Sequence, residues 1–204
     1  MSDESPPEIW LVRHGETEWS KAGRHTGRTD VPLTDAGREQ ARALRDILRE
    51  KSFAAVYTSP LSRARETCVL AGYGDACQPL DDLCEWDYGD YEGRTTASIR
   101  AERPGWTVWS GGVPQGESIE DVGARATAVL ERIQGAQGDV ALFSHAHFLR
   151  ILAAVWLGLQ PADGRLFRLD TASVSRLGWE RETRVILTWN EDWRLARAPL
   201  DQGA

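Results

Sequence analysis

Apolar residues fall along this chain in two patterns. The first is a short unbroken run: Ile9-Trp10-Leu11-Val12, residues 53–57, and Val140-Ala141-Leu142-Phe143. Runs of this length, apolar throughout, predict strands buried on both faces, as in a parallel sheet. Residues 172–179 and 184–189 read as two further strands. The second pattern has helical spacing. Thr34 is a good N-cap, Asp35 suits the positive end of the helix dipole, and Ala41, Leu44 and Leu48, with Ile47, then share one face. Ser118 with Asp121 forms a capping-box variant ahead of Val122, Ala126, Val129, Leu130 and Ile133. Residues 148–157 are strongly helical, 95–103 predict a short helix, and Ser59-Pro60 starts one that carries Arg63 in its first turn. Strands thus alternate with helices until two strands close the chain. That order predicts an α/β fold: a three-layer α/β/α arrangement with a mostly parallel central sheet. One domain is expected over residues 8–190, with a disordered tail at 1–7 and a loose one at 191–204.

Composition narrows the function classes. The 204 residues suit one domain with a sizeable core. A net charge of −7 without any Lys/Arg run argues against a nucleic-acid partner. No apolar run is long enough to span a membrane, and the acidic, Pro-containing start is unlike a signal peptide. Cys68, Cys77 and Cys84 are odd in number and lack metal-ligand spacing, which fits free thiols in a reducing compartment. The expectation is a cytoplasmic protein.

Candidate chemistry sits where strands end. The first strand runs into Arg13-His14-Gly15, a cation and an imidazole at the carboxyl end, where open α/β sheets bind ligands. Read functionally, His14 is a nucleophile toward phosphorus and Arg13 an anion clamp; read blandly, this is a capped strand end. The strand ending at Phe143 repeats the geometry with Ser144-His145-Ala146-His147. Residues 19–33 form a polar loop long enough to suggest function, and Arg24 and Arg28 in it suit an anionic substrate with a second charged group. His25 reads equally as a loop surface residue and His147 as a packed one. The tryptophans of the loop 104–116 are core plugs or entrance walls. Residues 80–93 hold six carboxylates but no ordered metal loop.

Several of these stretches together resemble one family. Arg13-His14-Gly15-Glu16-Thr17-Glu18-Trp19 is similar to the signature of the histidine phosphatase superfamily, the phosphoglycerate mutase-like group. So are Pro32-Leu33-Thr34, the Thr58-Ser59 to Thr67 stretch, the Glu85 to Gly93 stretch and Ser144-His145. The resemblance implies a phosphoglycerate mutase-like fold and a phosphomonoester hydrolase of acid phosphatase type, without metal or cofactor. It implies a phosphohistidine on His14, Arg13, Arg63 and His145 around the phosphoryl group, and Glu85 as proton donor. It assigns Ser20, Thr26, Gly27 and Ala146 as substrate contacts, with Ser20 replacing a frequent Asn and Ala146 a frequent Gly. The alternatives are a cofactor-dependent phosphoglycerate mutase and a non-catalytic phosphoryl-binding module. The short spacer 94–115, and Trp86 where those mutases carry Arg, favour hydrolysis. The expected partner is a small phosphate ester, and the expected assembly a homodimer.

Overall fold

A computed structural model describes residues 6–48, 51–192 and 194. The predicted tails therefore lie largely outside the described residues. Six strands, β1 (Ile9–Arg13), β2 (Ala55–Thr58), β3 (Cys77–Pro79), β4 (Val140–Ser144), β5 (Ser173–Glu180) and β6 (Thr183–Asp192), form one sheet in the order β3-β2-β4-β1-β5-β6. The first four run parallel, while β5 and β6 add an antiparallel edge. The helices are α1 (Glu18–Lys21), α2 (Asp35–Leu48), α3 (Ser62–Cys68), α4 (Thr96–Glu102), α5 (Ile119–Ile133) and α6 (Ala146–Trp156).

The unbroken apolar runs divide between two cores because successive strand side chains point to opposite faces. Trp10 and Val12, with Ala141 and Phe143, pack beneath Leu44 and Leu48 of α2 and Cys68 of α3. Ile9 and Leu11, with Val140 and Leu142, pack beneath Val122, Ala126 and Val129 of α5 and Phe148, Leu149 and Ile151 of α6. Each such buried Leu, Val or Phe contributes about 1.5–3 kcal/mol relative to exposure. The three-layer α/β/α architecture is thus the predicted one.

The differences are local. Phe53 lies outside β2 and meets Trp10 edge-on, with centroids 5.8 Å apart. Strand β3 was not foreseen, because Cys77-Gln78-Pro79 has no apolar run; it sits at the sheet edge, where proline is tolerated. Helix α3 starts at Ser62, so Pro60 precedes it, and Asp30 accepts from the Ser62 backbone N–H at 2.9 Å in place of a local cap. Helix α6 starts two residues early, at Ala146, in ordinary backbone geometry, so Ala in place of Gly imposes no strain there. Strand β6 continues to Asp192, which pairs with Ser173.

One close approach ties a helix to the end of β1. Gly37, in the first turn of α2, donates to Thr34 Oγ1 at 2.9 Å, and a Cβ there would sit 2.1 Å from the Glu16 carbonyl oxygen. Helix propensity alone predicts that Gly37→Ala stabilises by about 1 kcal/mol. The contact predicts the reverse, a loss of about 1–3 kcal/mol from overpacking. Thermal melting should fall by at least about 2 °C; a rise would refute the close approach.

Candidate active site

Three parallel strands deliver the site. At the carboxyl end of β1, His14 N–H donates to the Ser144 carbonyl at 3.0 Å. Beside it, Ser59 N–H, just past β2, donates to the Phe143 carbonyl at 2.9 Å. The parallel register of β1 and β4 sets Arg13 opposite Ser144, so His14 and His145 follow side by side with ring centroids 5.1 Å apart.

The state of His14 follows from one bond. Its Nδ1 lies 2.7 Å from the Gly15 carbonyl oxygen, which can only accept, so Nδ1 carries the proton and Nε2 keeps its lone pair. Burial first, then the charges of Arg63 and Arg13, push its pKa well below the ordinary imidazole value. His14 is therefore a neutral imidazole with a free nitrogen, the form a nucleophile requires.

His145 and Arg63 are fully buried beside it. Arg63 Nε donates to His145 Nδ1 at 3.1 Å, and His145 Nε2 lies 2.8 Å from Ser59 Oγ. The other Arg63 nitrogens donate to the carbonyls of Thr29 at 2.9 Å, Thr26 at 3.2 Å and Gly27 at 2.8 Å. Arg63 thus fastens the loop 26–29 while lending its charge to both histidines. Neither Arg63 nor His145 lines the cavity; Arg13 does.

Glu85 is 4% exposed and accepts from three backbone N–H groups: Trp86 at 3.0 Å, His147 at 3.0 Å and Phe148 at 2.8 Å. The last two belong to the first turn of α6. Burial raises its pKa above the ordinary carboxyl value, against the opposing pull of those three donors. The segment bearing Glu85 is clamped by Arg125 of α5, a residue the sequence pattern did not single out. Arg125 donates to the carbonyls of Asp82 at 2.8 Å and Cys84 at 3.0 Å, and pairs with Glu117 at 2.7 Å.

His14, Arg13 and Glu85 open onto a cavity of about 380 Å³. Of the residues expected to touch substrate, Ser20, Thr26 and Ala146 line it. Ser20 Oγ also closes a capping box, accepting from the Thr17 backbone N–H at 2.9 Å. Gly27 does not reach the wall; a Cβ there would lie 2.1 Å from Glu92 Oε1. The outer wall carries His25, Tyr88, Arg100, Trp109 and His147. Trp109 is thus an entrance wall, whereas Trp106 is core at 3% exposure. Arg24 also lines the cavity, but Arg28 is drawn toward Asp87 and Glu117, at 3.9 and 3.7 Å. Arg100 had no signal beyond its place in a short helix. Among the described residues, no group of three or more His, Cys, Asp or Glu side chains is placed to hold a metal ion, and no helix is long and apolar enough to cross a membrane.

A strand-end imidazole with a free nitrogen, a buried carboxyl and an arginine on one cavity define a phosphoryl-transfer type of site. The chain belongs to the histidine phosphatase superfamily (branch 1), whose model matches residues 9–192. It is 43% identical to an acid phosphatase of Mycobacterium tuberculosis over 87% of this chain and 89% of that protein. It is 38% identical to sedoheptulose 1,7-bisphosphatase of Saccharomyces cerevisiae over 75% and 68%, and 31% identical to a "Probable phosphoglycerate mutase" of Photorhabdus laumondii over 89% of each. Among solved structures, the product of the Mycobacterium tuberculosis open reading frame Rv3214 superposes with a TM-score of 0.85 at 39% identity, covering 92% of this chain and 98% of that one.

Replacing Arg125 by Met should release the Glu85 segment without emptying the space the side chain fills. Loss of its charged hydrogen bonds costs about 1.5–3 kcal/mol of stability, and kcat should fall with it. A variant with the parent's melting temperature and turnover would show that the clamp is unnecessary.

Proposed function

We propose that the protein is a metal-independent phosphomonoester hydrolase working through a phosphohistidine on small phosphorylated metabolites. The observation that carries this reading is the His14 Nδ1–Gly15 bond, which leaves Nε2 free on the same cavity as Glu85. His14 Nε2 attacks phosphorus in line and the ester P–O bond breaks. Glu85 gives its proton to the departing oxygen, which would otherwise leave as a poor alkoxide. The Glu85 carboxylate then takes a proton from the water that attacks phospho-His14, releasing phosphate and restoring both groups. Arg13 faces the transferring oxygens from the cavity wall; Arg63 and His145 act from behind, their charge and dipoles held rigid by their buried bonds.

Hydrolysis rather than mutase chemistry is supported by the compact stretch after Glu85. Trp86 is 1% exposed and its indole N–H donates to the Glu117 carbonyl at 2.9 Å, so the position that follows Glu85 is a packed core residue in place of a cation. The acid phosphatase and bisphosphatase relatives point the same way. Arg24 and Arg100 at the cavity mouth favour esters with a second anionic group. We place the enzyme in the cytoplasm, on its three free cysteines, as one domain over residues 8–190 that assembles as a homodimer.

Phosphate release from a panel of phosphomonoesters and sugar bisphosphates, measured in EDTA, should be substantial for the parent and lost by at least about 1000-fold in His14→Ala. No release from any ester by the parent would refute the hydrolase. The profile of kcat/KM against pH tests the assignments separately. His14 must be neutral, and its lowered pKa keeps it so below the ordinary imidazole value of about 6.5. Glu85 must be protonated, and its raised pKa keeps it so above the ordinary value of about 4.3. Activity should peak on the acid side of neutrality, with the alkaline limb absent in Glu85→Gln. An alkaline optimum would contradict the proton-donor role of Glu85.

A further inference from the structure

The hydrolase reading leaves unassigned a buried aromatic and imidazole cluster on the leaving-group side of the cavity. Tyr88 Oη lies 2.5 Å from His147 Nδ1. The rings of His25, Trp86 and Trp109 surround His147, with centroids at 6.3, 6.4 and 5.1 Å. The backbone N–H of His147 donates to Glu85 Oε2 at 3.0 Å. Its ring is therefore tethered to the carboxyl that must meet the departing oxygen.

The direction of the Tyr88–His147 bond can be worked out. Both groups are neutral: burial raises the phenol's pKa well above its usual value, and burial, followed by the charge of Arg150, lowers that of the imidazole. Tyr88 is 1% exposed, and His147 is the one partner its hydroxyl has among the described residues. Were His147 the donor, the phenolic hydrogen would be buried with no acceptor, at a cost of about 1–3 kcal/mol. Tyr88 therefore donates to Nδ1. The imidazole hydrogen then sits on Nε2 of a half-buried residue that lines the cavity. The cluster thus sets a fixed donor among its aromatic rings.

We propose that His147, oriented by Tyr88, is a specificity-determining residue whose Nε2–H donates to a hydroxyl oxygen of the departing alcohol, so that polyol and sugar phosphates are preferred to aryl phosphates. This rests on the hydrolase reading above. A donor without charge suits a hydroxyl, and Trp109 and His25, whose rings line the same cavity, suit the carbon skeleton of a sugar. A site built to hydrogen-bond a substrate hydroxyl discriminates strongly against an analogue lacking it, because the buried donor is then left unpaired. Tyr88 touches no substrate in this scheme; it is a positioning residue that fixes the tautomer.

The test compares kcat/KM for glycerol 2-phosphate and a hexose 6-phosphate with that for p-nitrophenyl phosphate. In His147→Phe the ratio of hydroxylated to aryl ester should fall about tenfold, mainly through KM. In His147→Gln, whose amide nitrogen reaches the place of Nε2, most of the ratio should be kept. Tyr88→Phe, which removes a single oxygen, should lower the ratio in the same direction, and it decides the matter if His147→Phe does not fold. A structural role alone would depress both substrate classes together, so an unchanged ratio in these variants overturns the proposal while leaving the hydrolase intact. A parent that hydrolyses neither class overturns the hydrolase reading itself.

Discussion

The site depends on one hydrogen bond, from His14 Nδ1 to the carbonyl of the next residue. An imidazole with the opposite tautomer would offer a proton, not a lone pair, to phosphorus. The carbonyl must therefore be fixed, and four segments hold the backbone around it. Strand β4 holds the His14 amide and the residue before β5 holds its carbonyl, through Ala172 N–H at 3.0 Å. Thr67 of α3 accepts from the Gly15 amide at 3.1 Å. Gly37 of α2 stands so near that a Cβ on Gly15 would lie 2.3 Å from its carbonyl oxygen. The approach of two backbones without side chains, more than any freedom of φ, is why glycine occupies both positions.

The loops around the pocket show a second use of charge. A loop that lacks a strand or helix still has polar backbone groups that need partners when buried. Arg63 meets the carbonyls of residues 26, 27 and 29, and Glu92 meets the amides of Arg28 and Thr29 at 3.1 and 3.3 Å. Arg125 does the same for the carbonyls before Glu85. Charged side chains here replace the regular ladders of secondary structure.

The strand ends were legible in the sequence because a buried parallel strand has to be apolar throughout, so a polar residue that follows it at once is conspicuous. His14 and His145 stood out for that reason, and the two-core architecture followed from alternation along the same runs. Short edges such as β3 were not legible, since an edge strand needs no hydrophobic pattern. Arg100 and Arg125 were hidden for a different reason: on a helix an arginine reads as a solvated residue, and only the tertiary packing shows which face it lies on. His25 and His147 could be weighed but not decided from spacing, because both a packed and a wall-lining imidazole occur next to aromatic residues. Gly27 was read as a substrate contact; it sits against Glu92 with its carbonyl on Arg63, a placement set by tertiary packing that no spacing in the sequence displays.

Glu85 joins these constraints in one group. Its carboxyl must be aimed at the leaving oxygen, and the three N–H groups that aim it, two of them at the start of α6, favour the ionised form. A proton donor needs the opposite. Burial supplies the opposing push and prevails in the free protein. A phosphate dianion entering the cavity adds repulsion of the same sign, so the acid is strengthened in occupancy when the substrate that needs it is bound. The geometry that positions the group and the burial that protonates it are therefore separate: backbone donors set direction, and exclusion of water sets charge.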